Sequence, residues 1–345
     1  MAKVDEIYHK LCEEILESGY WYTDESRGIR CLQLSSKTIE IPLDEFPLLT
    51  TKKMFLEGIV GELLWFLRGD TNIKYLVDNG VNIWNKDAYN YYLKLSNHNP
   101  LNYNDWLHYL QNDRNSYKNK TGIFGYKFGD LGRVYGAQWR NWRSYNQGFD
   151  EAQRKSGNLI KGLDQISNLI KNLREKPMSR RHIVTAWNPA ELYNMALPPC
   201  HCSFEILVEP VKYIMGTDFI KYANSPKYQF TLKWHQRSVD TFFKLPFNIA
   251  SYALLAKIIG KLTNMIPKSI IGDLSNVHIY KPHIEKVKEQ LKRDVNFHSE
   301  TKLNFRKNCD FNNLEIEDVL VENYSSYEKL PATMFAPKNQ LKLNI

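Results

Sequence analysis

Stretches with helical spacing and stretches that alternate like strands follow one another along this chain, but never in a regular strand–helix–strand order. Without that order an all-parallel sheet is excluded, and the pattern reads as α+β with one mixed sheet. Helical spacing is present at 4–18, where Ile7, Leu11, Ile15 and Leu16 share a face and Gly19 stops the run. It returns at about 54–67, closed by Gly69, at 163–174, through a strongly apolar 248–262, and at 281–292. Strand alternation marks Thr38-Ile39-Glu40-Ile41, 182–187, 203–208, 228–235 and His278-Ile279-Tyr280. The stretch 90–128, rich in Asn, Tyr and Lys, reads as a long surface insertion with one short helix near 105–110. Residues 209–228 read as a hairpin-tip insertion, and the chain after Asp310 shows little pattern. No internal repeat and no linker interrupts this order.

A chain of 345 residues allows two domains or one large one. Its 43% apolar and 13% aromatic content supplies a sizeable core and excludes disorder as the main state. The formal charge of +8 favours anionic partners. A phosphate-bearing small substrate met by a few placed arginines fits that charge better than nucleic acid does. Five cysteines at irregular spacing make no disulfide framework. Met1–Glu6 lacks an apolar signal core, and no apolar run approaches the ~20 residues that span a bilayer. A reducing, cytoplasmic setting without a membrane is the expectation, and the sequons at Asn119 and Asn323 carry no meaning there.

Chemistry concentrates at Met195-Ala196-Leu197-Pro198-Pro199-Cys200-His201-Cys202. Two prolines fix φ and remove donors, so Cys200 follows a stiff, extended turn of the kind a nucleophile needs. A buried structural cysteine is the plain alternative. A Cys-His-Cys metal clip is another, but no matching pair stands elsewhere at ligand spacing. Glu62 lies in the apolar run Ile59–Phe66, where a carboxylate is expensive and its pKa is expected to rise toward proton-transfer range, unless it merely occupies a polar stripe. Arg180-Arg181 and Gln236-Arg237-Ser238 offer guanidinium forks and a hydroxyl suited to a phosphate dianion, although a lone Arg is more often a surface residue. Asn248, after Leu245-Pro246-Phe247, can both donate and accept toward a uracil edge, or simply cap a helix. Alternation puts His278 and Tyr280 on one face.

Read together, Pro47-Leu48-Leu49-Thr50-Thr51-Lys52-Lys53, Glu62-Leu63-Leu64-Trp65, Ile83-Trp84, Val134-Tyr135-Gly136-Ala137-Gln138-Trp139-Arg140, Arg180-Arg181, Ala196–His201, Gln236-Arg237-Ser238 and Leu245–Tyr252 resemble the thymidylate synthase family, in that family's order. The resemblance implies a single domain over 1–345 with one large twisted mixed sheet flanked by helices, insertions at about 90–128 and 209–228, and a tail from about 311. It also implies a homodimer that methylates C5 of dUMP, using 5,10-methylenetetrahydrofolate for both carbon and hydride and no metal. On that pattern Cys200 attacks C6, Glu62 manages protons through water, and Tyr135 helps to remove the C5 proton. Arg237, Ser238 and an N-terminal arginine hold phosphate, joined by Arg180 and Arg181 from the neighbouring subunit. Asn248 reads the pyrimidine edge, with His201 and Gln236 beside it and His278 and Tyr280 on the ribose. Asp240 serves both substrates, and Ile83, Trp84, Phe243, Lys244 and Phe247 line the folate site.

Several positions depart from the family pattern. Arg27-Gly28-Ile29-Arg30 replaces Arg-Thr-Gly-Thr, leaving Arg27 and Arg30 as alternatives for phosphate. Arg133 stands for a proline, His235 for a tyrosine and Lys244 for a glycine, and Lys338–Ile345 run past the usual end. Two rivals remain: a dUMP hydroxymethylase, in which water replaces hydride, and a nucleic-acid-binding homologue without turnover. A dCMP enzyme is disfavoured, because related enzymes of that specificity place Asp where Asn248 stands.

Overall fold

A computed structural model describes residues 3–96, 99–112, 128–143, 162–211, 225–296 and 300–335. The parts of the two insertions at 113–127 and 212–224, the sequon at Asn119 and the terminal residues 338–345 lie outside them. No helix among the described residues is long and apolar enough to cross a membrane. The described residues pack as two compact units: Met1–Val60, Ile170–Ile183 and Cys200–Ile345 form the first, Gly61–Leu169 and Val184–Pro199 the second.

The main sheet is mixed and seven-stranded, and all its strands but β3 lie in the first unit. Its strands are β1 (Tyr20–Asp24), β2 (Ile29–Pro42), β3 (Ile183–Thr185), β4 (His201–Pro210), β5 (Tyr228–Gln236), β6 (Val239–Asp240) and β7 (Ile266–Tyr280), in the order β1-β2-β7-β5-β4-β3, with β6 also on β7. Strands β2 and β7 pair antiparallel, as do β4 and β5, whereas β5 and β6 run parallel to β7. This is the α+β, mixed-sheet class that the irregular order of periodicities implied.

Two irregularities face each other in this sheet. The β5 ladder on β7 breaks after Gln236↔Leu274 and resumes at Val239↔Val277, so Arg237 and Ser238 fall in the gap. The β4–β5 register shifts between His201 and Ser203, and Arg237 N donates to Cys200 O at 2.9 Å. Interruptions of this kind turn side chains out of the pleat; here one falls on Cys202, two residues after Cys200, and the other on Arg237 and Ser238.

Helices cover the sheet. Helix α1 (Lys3–Ser18) buries Val4, Tyr8, Leu11, Cys12 and Ile15; of the face its spacing predicts, Leu11 and Ile15 are buried, whereas Ile7 and Leu16 are half-buried at its edge. Asp5 in its first turn is fully buried, with both oxygens taken by the amides and hydroxyls of Thr50 and Thr51. Helix α2 (Leu56–Arg68) leads into the second unit, where α3 (Lys74–Asp78), α4 (Asn85–Leu95), α5 (Tyr103–Asn112) and α6 (Gly136–Arg140) follow. Helix α7 (Gln165–Glu175) returns the chain to the sheet. Helix α8 (Lys244–Thr263) packs on β7 and is buried nearly all round. It begins a turn earlier than its apolar run suggests, because Pro246 is tolerated in a first turn. Asn248 therefore lies inside the helix, and the helix-capping reading of this residue is set aside. Asn264, left-handed at φ 54°, closes α8 and donates to Gly260 O. Helix α9 (Ile284–Leu291) follows β7 through one 3-10 turn.

A feature not legible in the sequence is the two-stranded sheet of β8 (Lys302–Phe305) and β9 (Val319–Glu322), which lies partly in the stretch that showed little pattern. In the second unit, the described part of 90–128 is anchored, since Trp106 and Leu110 of α5 are fully buried. Rings of Tyr89, Tyr103 and Trp106 pack together there, with Tyr89 and Tyr103 centroids at 5.2 Å.

Candidate active site

In the first unit the Cys200 thiol emerges after Pro198-Pro199 at the head of β4. The Arg237 guanidinium, from the gap between β5 and β6, reaches the Cys200 sulfur at 4.0 Å. The contact places a positive charge beside the sulfur. Cys202, two residues on, differs: burial raises its pKa, and its thiol leans on Cys200 O at 3.7 Å. Among the described residues no group of three or more His, Cys, Asp or Glu is placed to hold a metal ion.

Behind the thiol lies a buried polar chain. Trp234 Nε1 donates to Gln236 Oε1 at 3.1 Å, and Gln236 Nε2 donates to Ser238 O at 3.1 Å and to Asn248 Oδ1 at 3.0 Å. Asn248 is 3% exposed and also hydrogen-bonds His201. Each amide is thus oriented by its neighbour, which makes Asn248 a fixed donor–acceptor edge. Burial, reinforced by the Lys244 charge, pushes the His201 imidazole down to about 3, so the ring is neutral at physiological pH.

The far end of β7 brings His278 and Tyr280 side by side, ring centroids 4.8 Å apart. Asn276 O and His278 Nδ1 are 2.7 Å apart, while buried His278 Nε2 has no hydrogen-bond partner among the described residues. Burial lowers the His278 pKa and raises that of Tyr280. Tyr280 donates to Asp24 Oδ2 at 3.1 Å, and Arg27 Nη1 meets the same oxygen at 2.8 Å. Of the two N-terminal arginines, Arg27 stands in this group, with its guanidinium 5.9 Å over the Tyr280 ring. Arg30 is exposed and stacks instead on Trp21 at 4.6 Å. Asp240 Oδ1 accepts from the amides of Phe242 and Phe243 at 3.1 and 3.2 Å, which fixes the turn into α8. Phe243, Lys244 and Phe247 lie half-buried at the start of that helix.

The second unit holds a different cluster. Trp84 Nε1 donates to Glu62 Oε1 at 2.8 Å, and Glu62 is 7% exposed, so the carboxylate is buried and not on a polar stripe. Tyr135 stacks on Phe66 at 4.7 Å and meets Trp84 edge-on at 6.0 Å. Its backbone is unusual for a residue with a side chain, at φ 26° and ψ −90°. Ile83 is half-buried beside Trp84 in the chain. Arg180 and Arg181 are exposed between α7 and β3, and no hydrogen bond or ion pair of the described residues ties them to the Cys200 group.

The same order of motifs holds beyond this chain. The sequence profile described as thymidylate synthase matches residues 6–336. The chain belongs to the thymidylate synthase family. A thymidylate synthase of Mesoplasma florum is 37% identical over 323 residues, covering 94% of this chain and 97% of the relative. That of Malacoplasma penetrans is 39% identical, with 82% and 83% covered, and that of Staphylococcus haemolyticus is 36% identical, with 95% and 97% covered. The chain is accordingly an enzyme of the thymidylate synthase type, a methyltransferase by class. Sequence reasoning missed the residues that orient its site, Asp24 and Asn276. The turn Asp24-Glu25-Ser26-Arg27 carried a signal for the first, since Asp24 Oδ1 accepts from Ser26 N at 2.9 Å as in an Asx turn. Asn276 is known only through its contacts, including 2.9 Å from Nδ2 to Arg237 O.

Proposed function

We propose that this protein converts dUMP to dTMP with 5,10-methylenetetrahydrofolate as donor of one carbon and a hydride, through a covalent adduct of Cys200. The observation that carries the reading is the Arg237 guanidinium at 4.0 Å from the Cys200 sulfur, backed by the oriented Gln236–Asn248 amide pair. The thiolate adds to C6 of the ring, and the electron pair moves to C5, which attacks the folate methylene. Loss of the C5 proton and expulsion of tetrahydrofolate leave an exocyclic methylene. Hydride from the tetrahydrofolate reduces it, Cys200 leaves, and dTMP and dihydrofolate are the products. Glu62 and Tyr135 move the protons in this sequence, a role that suits a buried carboxylate held by an indole and a buried phenol.

Asn248 pairs with O4 and N3 of uracil, His278 Nε2 and Tyr280 take the ribose, and Arg27, Arg237 and Ser238 hold phosphate. Arg27 is preferred over Arg30 because Asp24 and Tyr280 buttress it. Asp240, Ile83, Trp84, Phe243, Lys244 and Phe247 receive the folate. Exposed Arg180 and Arg181 are assigned to a neighbouring subunit's phosphate in a homodimer, working in the cytoplasm.

Product stoichiometry tests the reading. Incubation with dUMP and methylenetetrahydrofolate is expected to yield dTMP and dihydrofolate in equal amounts, read by mass spectrometry and by absorbance. Recovery of 5-hydroxymethyl-dUMP with tetrahydrofolate would overturn it. A barrier difference of only ~1.4 kcal/mol changes that partition tenfold.

A further inference from the structure

Tyr135 holds a backbone geometry, φ 26° and ψ −90°, that a residue with a side chain adopts only when its surroundings over-determine it. The surroundings are specific. Two residues earlier, Arg133 Nε donates to both oxygens of Glu191, at 3.0 and 2.9 Å. Its Nη2 reaches across the turn to the carbonyls of Ala137, at 3.4 Å, and Asn141. One guanidinium thus ties the chain before Tyr135 to the chain after it. Glu191 is 3% exposed, and its second partner is Gln138 Nε2 at 2.6 Å. The same Gln138 nitrogen donates to Arg133 O at 2.8 Å, and Gln138 Oε1 accepts from Asn188 at 3.2 Å. Main-chain contacts bind the two segments further: Ala196 N donates to Leu131 O at 2.8 Å, and Gly132 bridges Met195.

We propose that Arg133 and Glu191 are a positioning pair that sets the place of the Tyr135 phenol for removal of the C5 proton. The assignment rests on the role read for Tyr135 above. Loss of a guanidinium that serves one carboxylate and two carbonyls takes a donor from three acceptors and removes the cation beside buried Glu191, to which Gln138 still donates. The turn then relaxes toward ordinary φ and the phenol shifts with it. Arg133 occupies the position where the family pattern has a proline, so the stiffness that a ring would supply at this point comes here from a side-chain clamp.

The test uses the full-length enzyme and tritium release from C5-labelled dUMP in the presence of methylenetetrahydrofolate. Arg133→Gln and Glu191→Gln are each expected to lower kcat by roughly tenfold to a hundredfold, the scale of a misplacement near 1 Å, with KM for dUMP nearly unchanged. Adding Arg133→Gln to Tyr135→Phe should cost no more than Tyr135→Phe alone. Arg133→Lys keeps the charge opposite Glu191 but loses the reach to the carbonyls, so it should fold as the parent does and still lose kcat. Parent-like kcat in Arg133→Lys, or losses that add to that of Tyr135→Phe, would overturn the pair as a positioning device and leave a purely structural ion pair. If Tyr135→Phe itself releases tritium at the parent rate, the failure lies in the role given to Tyr135, and the proposal goes with it.

Discussion

Around Cys200 the side chains are held largely by hydrogen bonds to strands or to other polar groups, whereas around Glu62 a carboxylate–indole bond stands among packed rings. Gln236 donates to Asn248, Asn276 to Arg237 O, and Arg27 to Asp24. Phe66, Trp84, Trp139 and Tyr135 instead present faces and edges to one another, with Phe66 and Trp139 centroids at 5.6 Å. Under the proposed reaction the contrast matches two different tasks. Reading a pyrimidine edge requires donors and acceptors of fixed direction, and rigid strands with mutually oriented amides supply them. Moving a proton requires a carboxylate away from bulk water, and aromatic rings exclude water while an indole N–H keeps the carboxylate pointed. Specificity and rate are therefore expected to respond to different substitutions.

The largest effect should come from Cys200, which the polar region serves. Cys200→Ser is expected to reduce tritium release from C5-labelled dUMP by on the order of a thousandfold or more, while calorimetry still detects dUMP binding. Loss of binding as well would mean that Cys200 is mainly a structural member of that region.

A crossed pair of variants tests the division of labour itself. Glu62→Gln keeps an oxygen for Trp84 Nε1, so the packing should survive while kcat falls by about a hundredfold or more at unchanged dUMP affinity. Asn248→Asp should instead alter which base is used, lowering turnover of dUMP and raising relative activity on dCMP by a few kcal/mol of discrimination, roughly a hundredfold. If Glu62→Gln changed base preference, or Asn248→Asp left it untouched, the two regions would not divide the work in this way.

The smallest effect is one of stability. Because burial and then Lys244 push the His201 imidazole down to about 3, the folded protein leaves it neutral where the unfolded chain, near 6.5, takes up a proton. The unfolded state binds more protons in that window, so stability is lost as pH falls below about 6.5, by at most ~1.4 kcal/mol per pH unit from this ring. His201→Gln should flatten that part of the profile, seen as urea midpoints between pH 7 and pH 4.5. Parallel profiles for the two proteins would show that His201 takes up its proton as readily folded as unfolded.

How much of this was written locally can be judged residue by residue. Leu11 and Ile15 announced a helix with one buried face, because side chains three and four apart share a face wherever a helix forms, although the buried face is centred on Tyr8, Leu11 and Ile15 and Ile7 lies at its edge. The apolar run after Asn248 announced a helix that packs on most sides, and the alternation at His278 and Tyr280 placed two rings together. Order and type of these motifs were enough to define the α+β class and the family, and to nominate Cys200, Glu62, Arg237 and Asn248 as candidates. All of these signals are short-range, since they depend on chain geometry over a few residues.

Other features depended on partners far away in the chain. Strand β9 forms because β8 supplies its hydrogen bonds, although its own sequence is unpatterned. Arg27, and not Arg30, packs on Tyr280, which lies 256 residues along the chain from its partner Asp24. Glu62 became a buried carboxylate only when Trp84 arrived to hold it. The strained φ of Tyr135 belongs to the contacts of Arg133 with Glu191, Ala137 and Asn141, and no local propensity of Val134-Tyr135-Gly136 encodes it. The sequence alone determined which groups this protein can bring to its chemistry. Tertiary structure decided which of them are buried, oriented and paired, because burial, hydrogen-bond direction and backbone strain are properties of contacts between residues far apart in the chain.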